Sequence, residues 1–504
     1  MMIQMIGHTY DFALADVLRL FFGQALRLQP DRLAAGQEAW YLESLVHLSP
    51  PSQSGSSPAQ IDTAQVAQVR TSLWLTEADR ASNQPPTLIH EDFVPPESVR
   101  RELKRQLYVL LERITDVHFP WGSLTGVRPT QVVEQILAEN PSPEKAQSEL
   151  VEIWRVSPPK ASLAVRTALS EQRVLAQLPM DEPLIYAGIP FCPSRCAYCS
   201  FISQDAQRRK DQLEPYVSAL LEEARRTFTA LPVRSSAFYL GGGTPTSLPE
   251  PLLERLLTGL AAILPLAKNA EITVEAGRPD TLTPGNLRLL REFGATRICI
   301  NPQTFHEHTL QRIGRNHSVE QIHTAMAMAR KAGFDHINMD LIAGLPGETP
   351  ADFAQSLEQL LHLEPESVTI HTLALKRSSR LAQELGPSGH RDLLINRPDQ
   401  ALMEMVARAQ DRLVETDRHP YYLYRQKDVA GGLENVGFAL PGHECRYNVG
   451  MMSDRLAVIG LGSGAITKRV AGRKVSRVPN DKDIAHYIQR LDELILRKLQ
   501  LFAI

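Results

Sequence analysis

The sequence predicts an α/β protein centred on a partial (β/α)6 barrel, with an N-terminal α+β and helical region before it and a smaller C-terminal α+β domain after it. From Pro183 onward, short runs rich in β-branched and aromatic residues alternate with amphipathic stretches of helical length, the pattern of a parallel sheet. Six such units can be named. A closed barrel needs eight, so this one is expected to be open along one side unless other segments cover it.

The elements follow in order. Met1 to Pro30 holds the apolar run Val17 to Phe22, which Asp11, Asp16 and Arg19 break up. It reads as an amphipathic helix; without a basic leading segment or a small-residue cleavage site it does not read as a signal peptide. Trp40 to Val46 and Val66 to Leu75 read as strands on either side of Ser49 to Pro58, a polar, turn-rich linker. From Glu97 the period becomes helical, with Leu103, Leu107, Leu110, Leu111 and Ile114 on one face, and it returns from Pro143 to Leu178. The Gly/Pro/Arg loop Trp121 to Thr130 reads as a connector.

The six strands are Leu184 to Ile189, Ser236 to Leu240, Glu271 to Glu275, Thr296 to Ile300, His336 to Asp340 and Ser367 to His371. Leu213 to Thr229, Pro251 to Leu264, Val319 to Ala332 and Ala351 to Leu361 are the helices between them. A helix from Gln400 to Glu415, the aromatic strand Tyr421 to Tyr424 and the glycine-rich run Leu456 to Ala465 follow. Gly460-x-Gly462-x-Gly464 lacks the GxGxxG spacing and the βαβ setting of a nucleotide loop, so it is expected to be a close turn. The expected division is 1–95, a small α+β unit; 96–182, a helical connector; 183–385, the barrel; and 386–504, the C-terminal domain.

Composition bounds the function. A chain of 504 residues buries its own core and holds about two to four domains. Three of its five cysteines fall in one loop, while Cys299 and Cys445 stand alone, a distribution suited to a reducing compartment and so to the cytoplasm. The net charge of −3 gives no global attraction to nucleic acid or acidic lipid. No window approaches the ~18 uninterrupted apolar residues of a membrane span.

The chemistry concentrates at Cys192-Pro-Ser-Arg-Cys196-Ala-Tyr-Cys199. CxxxCxxC supplies one thiolate too few to close a metal site, whereas three cysteines on a 4Fe-4S cluster leave one iron open. The bland alternatives are a zinc site completed from a distance, or three core cysteines, and no histidine lies near the motif. In an α/β barrel the site gathers at the C-terminal strand ends. There stand the cysteine loop, Gly241-Gly-Gly-Thr-Pro-Thr246, Glu275, Asn301-Pro-Gln303, Asp340 ahead of Gly344-Leu-Pro-Gly347, and His371 with Thr372 and Ala374. Three glycines are often a tight turn, but they also let backbone approach a ligand. Glu275 and Asp340 around one mouth can hold ribose hydroxyls or an ammonium group; a lone carboxylate there is ordinarily solvated. His371 is more often a packed histidine than a ligand, and Cys299 is most simply a core residue.

The strand Tyr186 to Cys192, the triple cysteine, the Gly-Gly-Gly-Thr-Pro loop and Glu275 together resemble the radical S-adenosylmethionine (SAM) enzymes. The resemblance implies that Cys192, Cys196 and Cys199 bind three irons of a 4Fe-4S cluster. The fourth iron takes the amino and carboxylate groups of SAM, whose reductive cleavage yields a 5′-deoxyadenosyl radical. Phe191 to Phe201, Ile300 to Phe305, Ile313 to His317 and Asn338 to Gly347 are similar to the oxygen-independent coproporphyrinogen dehydrogenases. Trp121 to Thr130, Val274 to Asp280, Pro420 to Lys427 and Leu433 to Gly437 resemble their HemZ branch.

By position, this implies that Tyr186, Gly241, Gly242 and Glu275 surround the cluster-bound SAM. Tyr198, Gly243, Gln303, Arg315, Asp340 and Ala374 would surround a second one, with Tyr198 offering a ring face and Arg315 a forked donor near the chemistry. The implied activity is oxidative decarboxylation of coproporphyrinogen III to protoporphyrinogen IX, served by an unidentified electron donor and acceptor. A tetrapyrrole bearing four carboxylates calls for cations, and Arg278, Lys376, Arg377, Arg380, Arg425 and Lys427 are the candidates, most of them expected to be solvated surface charges. The rival reading is a haem chaperone, whose family carries a His-Asn…Tyr-Trp signature; here Tyr447 and Met452 fill the histidine and tryptophan positions, with His443 close by. A third reading keeps the radical chemistry with another porphyrin-like substrate.

Overall fold

A computed structural model describes the chain except residues 24, 49–65, 127, 200–203, 375–378, 382, 385–398, 427–431, 473 and 504. The expected linker Ser49 to Pro58 lies outside the described residues, as do Lys376, Arg377 and Lys427. The chain divides into two compact units. One is Met1–Val165 with Leu385–Gln400 and Arg425–Leu433, and the other is Arg166–Glu384 with Ala401–Tyr424 and Glu434–Ile504.

The first unit is built on a six-stranded sheet in the order β2-β3-β1-β4-β5-β6. Its strands are β1 (Met2–Ile6), β2 (Leu26–Gln29), β3 (Arg32–Ala34), β4 (Tyr41–Leu48), β5 (Ala67–Trp74) and β6 (Leu88–Val94). Among the described residues only β1 and β4 of this sheet pair in parallel, with α1 (Asp11–Phe22) between them in sequence. Ala13, Leu14, Val17 and Leu18 form the buried stripe of α1, while Asp16, 14% exposed, pairs with Arg19 and with Lys104. After the short α2 (Glu77–Ala81), α3 (Val99–Thr115) adds Leu103, Leu107 and Leu111 to a core shared with Ile3, Leu14, Leu18, Leu42 and Val69. The helices α4 (Thr130–Glu139) and α5 (Pro143–Glu152) follow, and α6 (Pro158–Leu175) runs across the boundary at Val165 into the second unit.

The second unit holds the barrel strands β7 (Leu184–Ile189), β10 (Ser235–Gly242), β11 (Leu266–Glu275), β12 (Arg297–Cys299), β13 (Ile337–Ala343) and β14 (Ser367–Thr372). They lie side by side and parallel in that order. A two-stranded pair, β8 (Phe191–Cys192) and β9 (Gln204–Asp205), sits beyond β7. The connections are α7 (Lys210–Ala230), α8 (Glu250–Ile263), α9 (Pro284–Glu292), α10 (Glu307–Arg312), α11 (Val319–Lys331) and α12 (Pro350–His362). Capping boxes at Ser318 with Gln321 and at Thr349 with Asp352 start α11 and α12.

The C-terminal strands extend this sheet at both edges. Beyond β14 come the antiparallel β16 (Glu434–Ala439) and then β15 (His419–Arg425). Beyond β7 come β17 (Val458–Leu461), β18 (Ile466–Ala471) and β19 (Lys474–Pro479), with β17 parallel to β7. The barrel is therefore partial: among the described residues the sheet ends at β15 and β19 without closing. The glycine-rich run expected as a turn is half strand. Gly460 lies in β17, where a Cβ would fall 2.7 Å from the Ile466 carbonyl oxygen, and Gly462 donates its N–H to the buried Glu223 at 2.7 Å. Among the described residues, no helix is long and apolar enough to cross a membrane.

Candidate active site

The cysteine loop leaves the barrel at the end of β7. Gly243 and Thr244 donate their N–H groups to the carbonyls of Ile189 and Phe191, each at 2.7 Å, so the strand-end glycines of β10 bind the segment that carries Cys192. Each of the three glycines has its own reason. A Cβ at Gly241 would lie 2.8 Å from the Glu275 carboxyl, Gly242 has φ +103°, and a Cβ at Gly243 would collide with the Phe191 carbonyl. The triplet thus serves the protein's own packing first. Cys192, Cys196 and Cys199 are all partly exposed, whereas Cys299 and Cys445 are buried, so Cys299 is the core residue its setting predicts. The Thr244 hydroxyl lies 3.6 Å from Cys192 Sγ.

Around that loop the strand ends gather a polar ring. Glu275 accepts the Tyr239 hydroxyl at 2.7 Å and the Gly242 N–H at 3.1 Å. Burial pushes its carboxyl up to about 7, against the pull of the Tyr239 hydrogen bond and with the help of the Asp340 charge. Tyr186 stacks on Tyr239 at 6.2 Å and on Tyr447 at 6.1 Å. Asp340 accepts from Asn338 at 2.7 Å and faces His371 Nε2 at 3.5 Å, while Asn435 Oδ1 lies 3.3 Å from His371 Nδ1. Burial disfavours a charged His371, but its bond to Asp340 outweighs that and raises its pKa.

Gln303 takes a left-handed backbone, φ +71°, and is threaded onto β13 through Asp340 and Ile342. The Tyr198 ring packs with Ile313, Ile342, Leu345, Leu373 and Leu381. Ala374 follows Leu373, whose N–H bonds the Ala343 carbonyl. Arg315 differs from expectation: its two terminal nitrogens are taken by the backbone carbonyls of Asn301, Pro302 and Gly277, so it presents no open fork. What remains is its Nε, buried without a partner, like Gln303 Oε1, Asn301 Oδ1 and Asn435 Nδ2. Buried polar atoms left unsatisfied are costly, and a cluster of them at one strand-end ring fits a site shaped for a polar ligand.

The expected substrate cations fare differently. Arg278 is 3% exposed and clamped by Asp280 at 3.0 Å, because it faces inward under the cysteine loop. Arg425 is buried in the first unit, bonding the carbonyls of Leu124 and Gly432 with its guanidinium over Trp121. Arg380 is exposed and pairs with Glu384 at 3.3 Å. Tyr421 and Tyr422 are core residues. The sequence reading missed Tyr239, Tyr447 and Asn435. Tyr239 was within reach, since it shares a strand face with Gly241 and lies in register with Tyr186. Asn435 enters through the pairing of β16 with β14, which no local pattern announces.

Residues 186–360 match the model of the radical SAM superfamily, a segment that runs from Tyr186 past Asp340. The oxygen-independent coproporphyrinogen-III oxidase-like protein HemZ of Bacillus subtilis (strain 168) is 37% identical over 82% of this chain and 84% of its own length. The chain belongs to the radical SAM family of oxygen-independent coproporphyrinogen III oxidase-like proteins, in its HemZ-like branch. Within that family it is also similar to the heme chaperone HemW of Lactococcus lactis subsp. lactis (strain IL1403), 30% identical over 62% of this chain and 77% of the chaperone. The solved coproporphyrinogen III oxidase HemN of Escherichia coli superposes with a TM-score of 0.49 at 26% identity, covering 65% of this chain and 72% of that one. Membership in the radical SAM superfamily implies a 4Fe-4S cluster and SAM. The donors fit them: three partly exposed thiols in one loop, beside a ring of unspent polar atoms.

Proposed function

We propose that this protein is a radical SAM oxidoreductase that decarboxylates coproporphyrinogen III to protoporphyrinogen IX without oxygen, in haem biosynthesis. The observation that carries the reading is the convergence of the cysteine loop with Glu275, Gln303, Arg315 and Asp340 from separate strand ends. Cys192, Cys196 and Cys199 are the residues that would hold the cluster, supplying three thiolates, one too few to close it. When bound and reduced, the cluster supplies the electron that cleaves SAM and so starts hydrogen abstraction from a propionate side chain. Glu275, held by Tyr239 and Gly242, presents a fixed carboxyl beside Tyr186, and with Gly241 these residues line the first SAM. Gln303 Oε1 and Asp340 offer acceptors, Arg315 Nε a donor and Tyr198 a ring face to a second SAM bordered by Gly243 and Ala374. The substrate is a tetrapyrrole, and the electron donor and acceptor are separate partners.

Similarity to HemW supports a second reading, a haem chaperone. Two observations weigh against it. Tyr447, at the place of that family's histidine, is buried against Tyr239 at 4.7 Å. His443 packs on His336 at 4.2 Å, at the N-terminal ends of the strands, opposite the cysteine loop.

The test is anaerobic: reconstitute the full chain with iron and sulfide, then add dithionite, SAM and coproporphyrinogen III. The expected result is 5′-deoxyadenosine formed together with stepwise loss of carbon dioxide. Deoxyadenosine without decarboxylation points to another porphyrin-like substrate. Tight haem binding with neither product overturns the enzyme reading.

A further inference from the structure

Arg278 enters the fold in an unusual position for a residue expected to meet substrate. Its Nε and Nη2 bond the two oxygens of Asp280 at 3.0 and 3.2 Å, which fixes the plane of the guanidinium. Its other edge faces the cysteine loop. Nη1 lies 3.4 Å from the Ser194 carbonyl, 3.2 Å from the Ser194 hydroxyl and 3.8 Å from Cys196 Sγ. Ser194 in turn donates its hydroxyl to the Gly314 carbonyl at 3.2 Å, and Ala197 donates its N–H to Ile313 at 2.8 Å. The loop around the first two cysteines is therefore held by bonds to the backbone of Ile313 and Gly314 and by two buried cations that meet Cys196, Arg278 and Arg315, of which Arg278 also grips Ser194.

We propose that Arg278 is a positioning residue for the cluster: a permanently charged N–H donor to the Cys196 sulfur that makes the cluster easier to reduce. The inference rests on the reading above, in which Cys192, Cys196 and Cys199 hold a 4Fe-4S cluster. Reduction by one electron makes the cluster and its thiolates one unit more negative, and a fixed cation and hydrogen bonds to the sulfurs favour that state. Arginine suits the task because it cannot release its proton at any working pH, and at 3% exposure its field is little screened by water. Asp280 holds the far edge and offsets part of the charge, so the two residues act with opposite sign. A bare structural brace would use the Ser194 contacts alone and would leave the potential unchanged.

The test compares wild type, Arg278→Lys, Arg278→Gln and Asp280→Asn as full chains, reconstituted anaerobically. Iron and sulfide content is measured first, and then the midpoint potential by dithionite titration followed by electron paramagnetic resonance. Arg278→Gln keeps a donor for Ser194 but loses the charge. The expected result is wild-type iron content with at least a tenfold lower reduced-to-oxidised ratio at equal poise, about 59 mV for one electron. Arg278→Lys should titrate near wild type, and Asp280→Asn should shift the opposite way. Equal potentials in wild type and Arg278→Gln at equal iron content overturn the inference while leaving the proposed function standing. If Arg278→Gln takes up no cluster, Asp280→Asn decides: an upward shift supports the role and an unchanged potential overturns it. A wild-type chain that takes up no cluster overturns both.

Discussion

Glu275 shows how one residue's setting becomes a pH dependence. Its carboxyl titrates near 7 in the folded chain against an ordinary value of 4.5, chiefly through burial. Between those values the folded chain holds a proton that the unfolded chain has released, so its contribution is full below 4.5 and is lost as the pH rises through 7. The loss is up to roughly 3 kcal/mol. Urea unfolding of the cluster-free chain at pH 5 and pH 8 should show wild type losing stability that Glu275→Gln retains; equal losses in both would rule this carboxyl out as the source. At this scale the sequence was legible for position, since Cys192, Cys196, Cys199, Glu275 and Asp340 stand at or beside the barrel strands as their spacing predicts. It was not legible for Arg278, Arg315 and Arg425. A guanidinium reaches several ångströms in any direction, and only packing decides that Arg278 turns to Asp280 and Cys196 and Arg425 to backbone carbonyls.

Among elements, the six parallel strands were readable because each is buried on both faces and so appears as a compact apolar run between helices. The strand Val458–Leu461 was not, since it is four residues long and its Gly460 reads as a turn. That glycine is required by the close approach of β18 at Ile466, a contact made only in the folded sheet. The same region is anchored by a buried ion pair between α7 and the last helix, Leu491–Phe502. Lys498 meets Glu223 at 2.6 Å and also donates to the Gly460 carbonyl, while Glu223 takes further bonds from Gly462, Asn480 and Tyr487. Lys498→Met leaves that carboxylate buried without its cation, and urea unfolding should register about 3–5 kcal/mol of destabilisation. The double variant with Glu223→Gln should recover most of it, and failure to recover would place the loss in packing rather than charge.

For the sheet as a whole, the C-terminal strands cover the two edges that six βα units leave exposed. Strand β17 satisfies the backbone of β7, which leads into the cysteine loop, and β16 does so for β14, which carries His371. A chain ending at Ser453 would keep all three cysteines and every strand-end residue, yet it would bare the β7 edge and remove Lys498 from Glu223. It should fail to yield soluble protein able to take up iron, measured by expression and iron content against the full chain. A soluble, iron-loaded truncation would mean that the barrel stands without its C-terminal edge strand.

By itself, the sequence determined the radical SAM family, the partial barrel of six parallel strands and the residue types at their ends. Those are local matters of spacing, periodicity and the chemistry that three thiols and a buried carboxyl can perform. Only the tertiary structure decided which polar atoms stay unspent for ligands, that Tyr447 and Asn435 join the ring from the far end of the chain, and that Arg278 faces a cysteine. These depend on segments tens to hundreds of residues apart being brought together, which is set by sheet pairing and burial rather than by any pattern along the chain.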